Sequence, residues 1–349
     1  MEYIALGCMT GTSLDGIDCS LIKSDGTSKV IQISNDFTPY SKKLQKKLSK
    51  IIRDQYLDDI EVVRLLNEEY QHAINNFILK NKIKIDVIGI HGQTIYHNAY
   101  LKLSIQLYDK KIRYNSKAPI ICNFRKNDIL NGGNGAPIIP IYHQIIANQL
   151  QIKSTIFVNI GGVTNFTIID NGEIRAGDSS FGNALINDLL ISKTNYKFDD
   201  NGSISRTGKK ISNLFNLIIK DDFFKKKLPK SLDRNYFHHY VNDINLNYSI
   251  EDIIYTFLSI IPYSINQIIN DKKNYKVILM GGGRKNLTLV RLFRETFDDL
   301  SLIDDFNFDG DFIESQGMGL LAIRYLNKIT STYKSTTGVS KDIYLGEKV

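Results

Sequence analysis

At 349 residues the chain exceeds one average domain, so two domains are the natural expectation. A composition of 42% hydrophobic and 23% charged residues excludes a disordered or fibrous protein. The net charge of +7, from 44 basic against 37 acidic residues, is spread over scattered lysines, and short runs such as Lys225–Lys227 sit beside acids. That pattern argues for a solvated surface and against a nucleic-acid partner.

In chain order, the apolar run Tyr3–Leu6 reads as a strand that enters the glycine-rich segment Gly7–Gly16, and Ile17–Ile22 reads as the strand that leaves it. Helical periodicity follows over Leu44–Arg53 and Ile60–Ile78, then a strand over Asp86–Ile90 that ends in His91-Gly92-Gln93-Thr94. After the glycine-rich stretch Asn131–Pro137 comes a helix over Ile138–Asn148. Thr155–Ile160 is again a strand, closed by Gly161-Gly162 and followed by the strand Phe166–Ile169. Helices are expected over Asn183–Leu190, Ile253–Ile269 and Leu287–Phe297, with a strand over Lys276–Leu279 before Gly281-Gly282-Gly283 and a last helix near Ser315–Asn327. The two halves thus open alike, as strand, glycine turn, strand. A repeat of roughly 150 residues signals a duplicated fold rather than a solenoid. Strands interleaved with helices imply an α/β architecture with covered sheets. The expected division is 1–125, with 320–349 returning to it, and 126–319.

Cys8, Cys19 and Cys122 fall in no metal-like spacing, which argues against a disulfide framework and for a reducing cytoplasm. The start Met1–Leu6 lacks the basic region and long apolar core of a signal peptide. The apolar stretch Ile253–Ile265, interrupted by Ser259, Pro262 and Ser264, is too short to span a bilayer, so no membrane partner is expected.

The first glycine segment is the most informative. Gly7, Gly11 and Gly16 let the backbone approach a ligand, Thr10, Thr12 and Ser13 supply hydroxyls, and Asp15 can hold a metal ion against phosphate oxygens. No Gly-Lys-Ser/Thr follows, so this is not a Walker A loop. Taken alone, an ordinary turn rich in Gly, Asp and Ser explains it as well. Gly161-Gly162 and Gly281-Gly282-Gly283 shift the balance, because three strand-ended glycine segments fit a nucleotide site better than three unrelated turns. Asp178, in Gly177-Asp178-Ser179-Ser180-Phe181-Gly182-Asn183, is a candidate general base, although a helix N-cap is the better local explanation. His91 and Gln93 end a strand where α/β proteins place ligand contacts and can hydrogen-bond a sugar. Arg125 can hold a carboxylate bidentately, with Asp128 to orient it.

Together these residues resemble the anhydro-N-acetylmuramic acid kinases of the actin/hexokinase-like superfamily. The likeness runs nearly the whole length, through Met9–Asp18, His91–Thr94, Phe124-Arg125, Gly132–Pro137, Asn159–Gly162, Pro229-Lys230-Ser231, Gly281–Gly283, Glu314 and Thr337–Lys341. It implies a two-domain fold of duplicated ribonuclease H-like units around a central cleft. The activity implied is an ATP-dependent opening of the 1,6-anhydro ring of 1,6-anhydro-N-acetylmuramic acid by water, with O6 taking the γ-phosphate. Asp178 then matches the catalytic aspartate. Gly11, Thr12, Ser13, Leu14, Asp15, Gly16, Ile17 and Asp18 match the phosphate-binding segment, with Gly161, Gly162, Gly281, Gly282 and Gly283 also on the ATP side and Mg²⁺ at Asp15. His91, Gln93, Arg125, Asn183 and Glu314 fall on the sugar side, Arg125 toward the lactyl carboxylate. Such enzymes often form homodimers. Where the family reads Asp-Thr-Gly-Pro-Gly-Asn, this chain has Ser179, Ser180 and Phe181 in place of Thr, Gly and Pro. A related kinase for another sugar, or a weakened actin-like ATP-binding paralogue, are the alternatives.

Overall fold

Two apolar strands closed by glycine turns, one at each half of the chain, seed the architecture. The computed structural model describes residues 1–11, 13–54, 60–109, 112–242, 248–269 and 275–349, which divide into two units: Met1–Gln151 with Phe312–Val349, and Ile152–Asp311.

In the first unit β1 (Tyr3–Met9), β2 (Gly16–Ser24) and β3 (Val30–Pro39) form an antiparallel meander. β4 (Val87–Ile90) lies parallel to β1. A separate hairpin follows, β5 (Gln93–Asn98) with β6 (Leu103–Leu107). β7 (Ile120–Cys122) lies parallel to β4, and the short β13 (Glu347–Lys348) closes that edge. Side chains alternate across β1. Leu6 and Cys8 enter a core built with α1 (Lys42–Asp54) and α2 (Ile60–Asn81), which contribute Leu44, Leu48, Leu66 and Phe77. Gly7 faces the other way, toward α11 (Ile313–Leu326). A Cβ on Gly7 would lie 1.8 Å from the Ser315 carbonyl oxygen, so only glycine lets the helix approach this closely. α3 (Phe124–Leu130) follows β7, and α4 (Pro140–Gln149) starts with proline in its first turn, where no donor is lost.

The second unit repeats the plan. β8 (Ser154–Ile160), β9 (Val163–Asp170) and β10 (Glu173–Phe181) form a meander, and β11 (Lys276–Met280) lies parallel to β8 with β12 (Leu300–Leu302) beyond it. α5 (Asn183–Lys193) follows β10, then the short α6 (Ser212–Ile218), α7 (Asp222–Lys225) and α8 (His238–Asn242). The Ser249 hydroxyl caps α9 (Ile250–Ile268) by accepting from the Asp252 amide at 3.2 Å, with Glu251 and Asp252 in the first turn as the helix dipole favours. α10 (Leu287–Thr296) packs on α9. The core joins Phe166, Phe181, Leu185, Phe257, Leu279 and Phe293.

Numbered within each unit, and leaving out β13, both sheets run in the order 3-2-1-4-5 with strand 2 antiparallel. This is the duplicated ribonuclease H-like arrangement of the actin/hexokinase-like class, and the strand–glycine–strand repeat in the sequence is its trace. The expected division put 126–151 and 312–319 in the second unit, whereas here they group with the first. Packing explains the difference: the buried Tyr142 hydroxyl of α4 donates to Gln316 Oε1 of α11 at 2.6 Å, and α11 lies on β1, β2 and β4. Among the described residues no helix is long and apolar enough to cross a membrane.

Candidate active site

In the first unit the β1–β2 pairing ends at Met9 opposite Asp18, and the connecting segment projects beyond the sheet. Its carbonyl at Gly11 accepts from Leu14 N–H at 3.4 Å and from Gln93 Nε2 at 3.1 Å. Leu14 has φ 58°, a left-handed value that costs a non-glycine residue strain. Ser13 and Asp15 are exposed, and the Ser13 hydroxyl donates to Asp15 Oδ1 at 2.7 Å. Gly16 and Ile17 are buried at the start of β2, with Asp18 half-buried after them. Thr12 lies outside the described residues. The segment thus keeps a hydroxyl and a carboxylate at its exposed tip, while its base is pinned from below.

Gln93 does much of that pinning. It is fully buried, and its amide accepts from the Tyr40 hydroxyl at 3.1 Å while donating to the Gly11 and Thr94 carbonyls. The sequence suggested a sugar contact; the observed partners are a brace on the phosphate-segment candidate.

His91 follows β4, and its amide donates to the Cys8 carbonyl at 3.1 Å. Its Nδ1 lies 2.8 Å from the Gly92 carbonyl, so Nδ1 carries the proton and Nε2 accepts from Arg125 Nε–H at 2.8 Å. Burial pushes its pKa down to about 3, and the Arg125 charge pushes the same way. Arg125 sits in the first turn of α3. Asp128, expected to orient Arg125, is occupied elsewhere: its carboxylate accepts from Gly135 N–H at 2.7 Å, Thr337 Oγ1 at 2.6 Å and Thr332 Oγ1 at 3.1 Å. Burial raises its carboxyl above the ordinary range, against the pull of those donors. Glu314 stands half-buried in the first turn of α11.

In the second unit three segments singled out in the sequence meet. The β8–β9 turn, Gly161-Gly162, receives the start of α5: Asn183 N–H donates to the Gly161 carbonyl at 2.8 Å, and Gly182 and Ala184 N–H donate to that of Gly162. Asn183 Nδ2 reaches the Ile160 carbonyl at 3.3 Å. Gly281, at φ 74°, and Gly283 press against Asn159 and Ile160, where added Cβ atoms would lie 2.4 Å from Asn159 Oδ1 and 2.2 Å from Ile160 Cγ2. The turn Gly281–Lys285 is clipped by its own buried Arg284. That guanidinium donates to both Asp304 oxygens, at 2.6 and 2.9 Å, to Asp311 Oδ1 at 2.6 Å and to the Gly281 carbonyl at 3.0 Å.

Asp178 lies within β10, which continues to Phe181 with a bulge between Asp178 and Ser180. It is not an N-cap; Gly182 takes that position. No left-handed residue occurs between 178 and 181, so the loss of glycine at Ser180 imposes no backbone strain. The main chain of Asp178 donates to the Lys230 carbonyl at 2.9 Å, and its Oδ2 accepts from Leu232 N–H at 2.6 Å and Ser231 Oγ at 3.1 Å. Lys230 is itself buried, its ammonium donating to the Phe223 carbonyl at 3.1 Å and facing the Phe223 ring at 4.3 Å. Burial lowers its pKa to about 8, with the Asp178 charge opposing. Ser231, Leu232 and Arg284 were not assigned site roles from sequence. Only the Pro229-Lys230-Ser231 run hinted at the first two, because their partner lies over fifty positions earlier.

Comparison with known proteins identifies the family of the sequence. The family model described as anhydro-N-acetylmuramic acid kinase matches residues 2–349. The chain is 36% identical to the anhydro-N-acetylmuramic acid kinase of Pelagibacter ubique (strain HTCC1062), over 97% of this chain and 96% of that one. Identity to the enzyme of the same name from Rhodopseudomonas palustris (strain ATCC BAA-98 / CGA009) is 32%, over 97% of each. Among solved structures, component A of the Acidaminococcus fermentans (R)-2-hydroxyglutaryl-CoA dehydratase aligns with a TM-score of 0.49 at 12% identity, over 93% of this chain and all of that one. On the full-length family match and these identities, the chain belongs to the anhydro-N-acetylmuramic acid kinase family.

Proposed function

We propose that the chain opens 1,6-anhydro-N-acetylmuramic acid with water and phosphorylates O6 at the expense of ATP, with Asp178 as general base. Water attacks the anomeric carbon as Asp178 takes its proton; the C1–O6 bond breaks, and O6 accepts the γ-phosphoryl group while ADP leaves. The products are N-acetylmuramic acid 6-phosphate, ADP and the proton released from Asp178. The observation that carries the base assignment is the hold on Oδ2 by Leu232 N–H and Ser231 Oγ, which fixes the carboxylate before substrate arrives.

The Gly11–Asp18 segment is assigned to the nucleotide phosphates. Gly161-Gly162 and Gly281–Gly283 are assigned to the rest of ATP, and Arg125, Asn183 and Glu314 to the sugar. Among the described residues no group of three metal-ligating side chains forms a protein cage. Mg²⁺ is commonly held by one or two carboxylates together with phosphate oxygens and water, and the Gly11–Asp18 segment offers a carboxylate at its exposed tip. Asp15, exposed and oriented by Ser13, would be that carboxylate. When bound, the ion neutralises charge on the transferring phosphoryl group. The same reading makes the protein a cytoplasmic homodimer; light scattering on the purified protein checks the dimer.

The deciding experiment is an ADP-release assay with Mg·ATP and 1,6-anhydro-N-acetylmuramic acid, with the product weighed by mass spectrometry. A product heavier than the sugar by one phosphoryl group (HPO3) and one water supports both ring opening and transfer. ADP release with another sugar only would move the assignment to a related sugar kinase, and ATP binding without turnover to a weakened paralogue.

A further inference from the structure

The pairing of His91 with Arg125 points to a role that neither residue type reveals in sequence. At Arg125 the acceptor at Nε is an imidazole, 2.8 Å away. That ring is 3% exposed, and its Nδ1 proton is committed to the Gly92 carbonyl. The tautomer is therefore fixed, with the lone pair of Nε2 directed at the guanidinium. Burial and the adjacent guanidinium both disfavour the imidazolium, so His91 stays neutral through the working range of pH. The bond engages Nε–H and, because the guanidinium is planar, sets the plane in which both Nη groups lie.

The backbone gives this acceptor a firm base. His91 directly follows β4, and its amide is bonded to the Cys8 carbonyl of β1, so the ring stands on the paired sheet rather than on a free loop. Arg125, by contrast, extends from a short helix on a long flexible stem. The rigid partner orients the flexible one.

We infer that His91 is a positioning residue, a hydrogen-bond acceptor that holds the Arg125 guanidinium in the orientation suited to a substrate carboxylate. This rests on the reading that Arg125 receives the lactyl carboxylate of the sugar. It replaces the direct sugar contact expected for His91 and makes the strand-end histidine a determinant of acidic-sugar recognition.

A double-mutant cycle on the full-length enzyme tests it, using His91→Phe, which keeps ring volume, His91→Ala, Arg125→Ala and the combined variants. KM for 1,6-anhydro-N-acetylmuramic acid should rise by about tenfold or more in His91→Phe, as expected for a lost bond that orients a charged group, with KM for ATP within about threefold of the parent. His91→Gln, which retains an acceptor, should recover most of the loss. In an Arg125→Ala background the further change at His91 should have little effect on KM. Equal penalties with and without Arg125, a parallel loss in KM for ATP and kcat, or no effect in either His91 variant would each overturn the inference. If Arg125→Ala itself leaves KM for the sugar unchanged, the carboxylate assignment fails and the positioning role falls with it. If Arg125→Ala raises KM while the His91 variants do not, only the positioning role fails.

Discussion

A base that must take a proton from water works only if its carboxylate is aimed before the water arrives. At Asp178 the aim comes from a segment that joins β10 edge-on, with main-chain and side-chain donors meeting one oxygen. Asp178→Asn preserves shape but cannot accept the proton. Turnover should fall by about 10²- to 10⁴-fold, the usual worth of a general base, while ATP affinity measured by calorimetry stays within about threefold. Residual turnover near the parent level would remove Asp178 from that role. Ser231→Ala deletes one donor to the ionised carboxylate, which favours the protonated form. The acidic limb of kcat/KM against pH should therefore move to higher pH, and Ser231→Thr should move it back. A uniformly scaled profile would instead mean that Ser231 serves only folding.

The glycine turn after β11 has no side chains with which to hold itself, so its shape depends on Arg284. Burial opposes the charge of this arginine, but the bonds from Asp304 and Asp311 outweigh it and keep the guanidinium firmly protonated. Arg284→Met removes the clip on the Gly281 carbonyl and the guanidinium partner of both Asp304 and Asp311, of which Asp311 keeps Lys285. Because Asp304 is 42% and Asp311 36% exposed, the cost should be about 2 kcal/mol, below that of breaking a fully buried pair. Denaturant titration checks that loss. KM for ATP should rise with KM for the sugar unchanged if the turn serves the nucleotide, and the opposite pattern would reassign it. What could be read in the sequence at this scale follows the range of the interaction. The strands around Gly11 and Gly161 announce themselves through local alternation, and α1, α2, α5 and α9 through helical spacing. Asp178 looked like part of a tight turn because Gly177 and Gly182 bracket it, yet Ser179–Phe181 are buried and continue β10. Its partners at 230–232, like the partners of Arg284 at 304 and 311, are distant in sequence, and no local pattern marks such pairs.

At the scale of the whole chain, proton balance and chain connectivity make separate predictions. His91, His97 and His143 all lie in the first unit, and burial lowers each to about 3, with Arg125 adding to the effect at His91 and His97. The unfolded chain then binds more protons than the folded one between about pH 3 and 6.5, so stability falls as pH drops through that window. Carboxylates held low in the fold, such as Asp25 and Asp188, add losses only below about pH 4.5. Urea midpoints should accordingly drop between pH 6.5 and 5, and less steeply in His143→Phe; a flat response in that interval would contradict the buried neutral histidines. Connectivity separates the two units more sharply. The second is one continuous segment whose five strands and core are all its own, whereas the first must recover α11 from beyond it. The five large buried side chains Ile313, Met318, Leu320, Leu321 and Ile323 of that helix are worth about 1.5–3 kcal/mol each, or about 10 kcal/mol together. That equals the entire stability of an ordinary domain, about 5–15 kcal/mol. A fragment spanning 152–311 should therefore unfold in one cooperative transition by circular dichroism. A chain ending at Asp311 should keep that transition but lose protease resistance across its first 151 residues. Protection of β1 and β4 in that truncated chain would mean that their sheet is held by something other than the glycine-lined seat of α11.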